Sequence, residues 1–99
     1  MRTISTRINL ENLSIMLYCD FDYIPGEGVY MVLWEAMDVT GLATSQIKRN
    51  TLRTIDLNSL PVDDLVIFTQ ALDEININRH ELQNELEQDY EDFLTGKTF

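Results

Sequence analysis

A single histidine, a single cysteine and a dense set of carboxylates are the side chains with which this chain could do chemistry. His80 falls on the polar flank of a helical pattern, with no serine or cysteine at a spacing that would make it a catalytic base. It reads as a solvated surface residue. Cys19 alternates with apolar neighbours in a strand pattern and reads as a small buried hydrophobe. One cysteine supports neither a disulfide within the chain nor a cysteine-based zinc site. Asp20 and Asp22 share one strand face at about 6–7 Å. Two acids supply too few convergent oxygens for a divalent ion, so they are assigned to the solvent face of a hairpin. Gly26-Glu27-Gly28 lacks the longer glycine pattern, the lysine and the following helix of a phosphate loop. No catalytic, metal or cofactor site is predicted.

Carboxylates at the far end of the chain are a different matter. Glu81, Glu85, Glu87, Asp89, Glu91 and Asp92 lie in a stretch with no basic residue. On a helix, Glu81–Glu85 and Glu87–Glu91 are like-charge pairs one turn apart, each mildly destabilising. Acids repeated along a rod approach the charge spacing of a nucleic-acid strand, so mimicry of DNA or RNA is one reading and a solvated helix face is the other. Seventeen acidic against seven basic residues give a net charge of −10, which disfavours direct contact with nucleic acid or an anionic membrane and favours a partner with a basic surface. No apolar run is long enough to span a membrane, and Arg2 and Arg7 are not followed by the apolar stretch of a secretory signal. A cytoplasmic setting is expected.

These residues must be positioned by a small fold. Ninety-nine residues, 44% of them hydrophobic and 24% charged, make one globular domain, β-rich over residues 1–58 and helical over 59–95. From Leu13 to Tyr23 every second residue is apolar, the strand signature. Pro25-Gly26-Glu27-Gly28 supplies turn chemistry. Val29 to Asp38 resumes the strand pattern, with Val29, Met31, Leu33 and Met37 on one face and Tyr30, Val32, Trp34 and Ala36 on the other. Both faces are apolar enough to predict that both are covered. Gln46 to Leu57 is either a ragged third strand or a loop with a short edge strand, its Lys48, Arg49 and Arg53 guarding that edge against aggregation.

Asn58 or Ser59 as cap, Pro61 in the first turn, and Asp63 and Asp64 near the positive dipole end announce a helix. Leu65, Phe68, Leu72, Ile75, Arg79, Leu82, Leu86, Asp89 and Phe93 then keep a 3-4 rhythm, with Gly96 as the stop. One helix from Pro61 to about Leu94 is favoured over two broken near Asn76–Asn78. Such a rod is about 50 Å long, whereas ten-residue strands span about 33 Å. Leu82, Leu86, Tyr90 and Phe93 would therefore overhang the sheet and form an oligomer seam, most simply in a homodimer. The hairpin tip, with Tyr23, Ile24, Pro25 and Glu27, is a second candidate contact. The predicted fold class is α+β: an antiparallel hairpin, or three strands, on a long C-terminal helix. Its core is Leu17, Cys19, Phe21, Met31, Leu33, Leu65, Phe68 and Leu72.

Three segments together resemble small uncharacterised proteins of tailed bacteriophages and prophages. They are Asp-Phe-Asp-Tyr-Ile-Pro-Gly-Glu-Gly (Asp20 to Gly28), Asp-Val-Thr (Asp38 to Thr40) and Ser-Leu-Pro-Val-Asp-Asp-Leu (Ser59 to Leu65). The likeness covers Leu13 to Glu74 and departs at Gly41–Leu57 and after Ile75. It implies a host cytoplasm, no enzymatic activity, and a protein that binds and blocks or recruits a basic or nucleic-acid-handling host protein, such as a defence factor. The alternative is a non-enzymatic assembly subunit built on the helix seam.

Overall fold

The computed structural model describes residues 1–96 and shows an α+β architecture, four antiparallel strands with a long helical run across one face. The strands are β1 (Arg2–Asn9), β2 (Ser14–Ile24), β3 (Gly28–Asp38) and β4 (Arg53–Thr54), in that spatial order. β1 carries Ile4, Thr6 and Ile8 at alternate positions and pairs along its whole length with β2, Ile4 opposite Cys19 and Ile8 opposite Ile15. The β2–β3 turn closes with the Glu27 amide donating to the Ile24 carbonyl at 3.0 Å. Gly26 and Gly28 hold φ of 85° and 96° there, a region closed to most side chains. The middle segment forms the short-edge alternative. β4 has two residues, opposite Met37 and Asp38, and 3-10 turns surround it.

One bulge corrects the face assignment on β3. Asp20 pairs with Leu33 and Phe21 with Met31, so Val32 is the extra residue. Beyond it the alternation changes phase. Val29, Met31, Trp34 and Ala36 face the helices, while Leu33, expected in the core, turns to the opposite face and is 49% exposed. The double cover expected for this strand is only partial: away from the helices Met37 is buried beside Arg49 and Leu52, while Tyr30, Val32 and Leu33 remain exposed.

The helical run goes from Val62 to Thr95 without a hairpin. It is α-helical over α1 (Val62–Ile77) and α2 (Gln83–Thr95), and Asn78–Leu82 between them tightens to 3-10 geometry. Helix-averse Asn78 sits at that junction, and Arg79, half-buried, donates from Nε to the Val29 carbonyl at 3.0 Å. Gly96 ends the run at φ 73°. The expected cap moves. Leu57–Ser59 form a 3-10 turn of their own, closed by the Asp56 carboxylate accepting from the Asn58 amide, and Pro61 is the N-cap of α1.

Ile15, Leu17, Cys19 and Phe21 of β2 are fully buried against Phe68 and Leu86, with Met31, Leu72 and Leu82 packed around them. The sheet lies under the middle of the run, in a molecule 49 Å long. Both ends overhang, so Leu65, expected in the core, is exposed beside Val62 and Val66, and at the other end Phe93 is 72% exposed. Among the described residues no helix is long and apolar enough to cross a membrane.

Candidate protein-interaction surface

Helix geometry divides the acidic residues of α2 into two rows. At about 100° per residue, Glu85, Asp89 and Asp92 fall on one flank and Glu87 and Glu91 on the other, with Leu86 between them facing the core. The first row lies beside β1. Arg2 donates from Nη2 to Asp89 at 3.3 Å, and its Nε lies 3.5 Å from Glu85. Asp92 accepts from Gln88 at 2.9 Å. The second row lies beside the hairpin, where the Tyr23 hydroxyl donates to Glu87 at 3.2 Å. Desolvation, then this bond and the charges of Glu87 and Glu91, hold the Tyr23 phenol above its usual pKa. Glu81 stands apart, in the 3-10 stretch, facing β1. Among the described residues one guanidinium thus stands against six carboxylates, and it pairs with two of them, Glu85 and Asp89. Arg2 is 87 residues from Asp89 in sequence, which is why the stretch looked wholly uncompensated.

Most of the expected seam is used inside the chain. Leu86 is 2% exposed in the core, Leu82 packs against that core, and Tyr90 sets its ring edge-on to Tyr23 at 5.9 Å. The premise that these residues lie beyond the chain's own sheet is corrected: the run centres on the sheet, so its distal part is served by β2 and β3. Tyr90 keeps an exposed face beside this contact, and Phe93, with neighbouring Leu94, is more exposed still. The hairpin tip divides likewise. Ile24, Pro25 and Glu27 are exposed, whereas Tyr23 is held by Tyr90 and Glu87.

On the face away from the helices a second polar centre forms that sequence reasoning missed. Asp20, expected in solvent, is 7% exposed. Arg49 meets it with two parallel bonds, Nη1 to Oδ1 at 2.9 Å and Nη2 to Oδ2 at 2.8 Å, and also bonds Glu35. Thr3 donates a third bond to Asp20 at 2.6 Å, and the guanidinium stacks 4.8 Å from the Tyr18 ring centre. The Arg49 bonds, helped by Thr3, hold the Asp20 carboxyl below its usual range against the opposing effect of burial. Arg49 is therefore no edge guard. It clips the segment after β3 onto the open face of the sheet. Every donor and acceptor named is satisfied within the chain, so the centre is structural. The Asp20 oxygens are engaged by Arg49 and Thr3, and among the described residues no three His, Cys, Asp or Glu side chains gather as metal ligands. His80 is exposed and Cys19 is fully buried.

Comparison with known proteins found no matching family model, no similar curated protein and no similar solved structure.

Proposed function

We propose that this chain is a non-enzymatic binding protein that engages a basic surface of a partner protein through the acidic flanks of α2, blocking or recruiting that partner. The supporting observation is the two rows of carboxylates between Glu85 and Asp92, with Arg2 their one basic partner among the described residues. Like-charge pairs one turn apart weaken a helix, and a helix that retains them is held by its packing through Leu86. A basic partner removes that repulsion on contact, and at −10 the whole molecule steers such a partner inward. Nucleic-acid mimicry and a phage setting are particular forms of this reading. The assembly-subunit reading is weaker, because Leu82 and Leu86 of the expected seam are taken up by the chain's own core, which leaves it Tyr90, Phe93 and Leu94.

Reversing Glu85, Asp89 and Asp92 together to lysine tests the proposal. Partner capture should be lost while the circular dichroism spectrum is kept, since all three lie off the core. Arg2 loses two exposed contacts in this variant, at a cost below about 1 kcal/mol. Unchanged capture would refute the role given to α2.

A further inference from the structure

Alongside β1 runs a groove of about 330 Å³, bounded by the strand on one side and the helical run on the other. Ile4, Ala71 and Ile75 line its floor, and Glu74, Asn78 and Glu81 form its helical wall, at spacings of four and three residues that place them on one stripe. Glu74 and Glu81 are exposed, and no basic side chain among the described residues lies within ion-pair distance of either.

The strand beside this groove is an edge. β1 pairs only with β2, so every second residue turns its amide and carbonyl outward. Charged side chains usually protect such an edge from an added strand. Here both are drawn away. Arg2 reaches to Glu85 and Asp89, and Arg7 donates to the Leu42 carbonyl at 2.9 Å across the sheet. Thr3 to Thr6 are left as an uncharged, regular length of edge. The opposite edge differs, because the bulge at Val32 interrupts β3 and Arg79 occupies its Val29 carbonyl.

We infer that the β1 edge and its groove bind an extended segment of a protein partner by strand addition, the segment carrying Lys or Arg at alternate positions. Backbone hydrogen bonds to β1 fix the segment, and its helix-side residues enter the groove. Long basic side chains suit that space best. Their aliphatic stems cover Ile4, Ala71 and Ile75 while their charged heads reach Glu74 and Glu81. The inference takes from the proposed function only the basic character of the partner, and it uses a different surface.

The test is fluorescence anisotropy with a labelled, end-capped peptide of about nine residues alternating Lys and Thr, on the full chain. Binding is expected. It should weaken at least about tenfold for Glu74→Lys with Glu81→Lys, and similarly when alternate backbone amides on the peptide's bonding edge are N-methylated. Reversal to lysine of Glu91 and Asp92, two acids of α2 that do not hold Arg2, should leave it nearly intact at the same change in charge, which separates failure of this site from failure of α2. Three results would each overturn the inference: no binding, equal binding of the N-methylated peptide (attraction by charge alone), or loss only with the α2 reversal.

Discussion

Replacing Arg49 by alanine should be among the most damaging changes available outside the apolar core. Removing one member of a fully buried ion pair costs about 3–5 kcal/mol, because the other charge is left without a partner. Here the Asp20 side chain is 10% exposed, but Arg49 and Glu35 are 30% and 33% exposed, and Thr3 still donates to Asp20 in the variant. Those contacts with water and with Thr3 lower the expectation to about 2–3 kcal/mol. In a domain of this size that is a fall in Tm of about 10–20 °C. Urea unfolding followed by circular dichroism reads the loss as a shift in midpoint. Acid adds an independent signature. Since Asp20 titrates below its usual range in the folded protein, the unfolded chain takes up its proton first as pH falls. The stabilisation is present above about pH 4 and disappears below it. Arg49→Ala should therefore lose less on acidification than the parent. A cost under about 0.5 kcal/mol, or parallel acid curves, would refute the clip.

Burial pushes the Cys19 thiol up to about 11 from its usual 9.0, so ionisation of the unfolded chain should erode stability as pH rises from 9 towards 11, and a thiol reagent at neutral pH should react only as fast as the protein opens; rapid labelling of the folded protein would contradict this. Leu86→Ala should cost about 2–5 kcal/mol at its buried position, and Leu86→Asp should unfold the chain rather than dissociate an oligomer. Phe93→Ala, at an exposed site, should stay within about 0.5 kcal/mol in the same urea assay. Gly28→Ala should destabilise by about 1 kcal/mol, since φ is 96° and the new Cβ would stand 3.4 Å from Gln83 Oε1; an unchanged midpoint would show that the turn relaxes.

Local patterns carried the fold a long way. Period-two alternation located β2, and the 3-4 rhythm located the helical run across its 3-10 stretch, because Phe68, Leu72 and Leu86 each answer to the same sheet. The alternation of Ile4, Thr6 and Ile8 was legible too, but Arg2 and Arg7 drew attention as charges rather than as ends of a strand. What local pattern does not encode is pairing. The bulge at Val32 depends on how β3 registers with β2, and it alone moves Leu33 to the open face. The clip between Arg49 and Asp20 spans 29 residues, and the Arg2 contact with Asp89 spans 87, so no spacing rule reaches either. The acidic residues of α2 were plain in the sequence. Their division into two rows, and the use of Leu82 and Leu86 as core rather than seam, required knowing where the sheet lies along the helix.

Capture of partner proteins on the immobilised chain, followed by elution in rising NaCl, tests most directly whether the acidic flanks of α2 make a binding surface. Loading at about 50 mM salt, where screening is weak, the account predicts a basic partner that the parent retains, that elutes by about 0.3 M, and that the Glu85, Asp89 and Asp92 reversal fails to hold. A partner that survives both the salt and the reversal would contradict it.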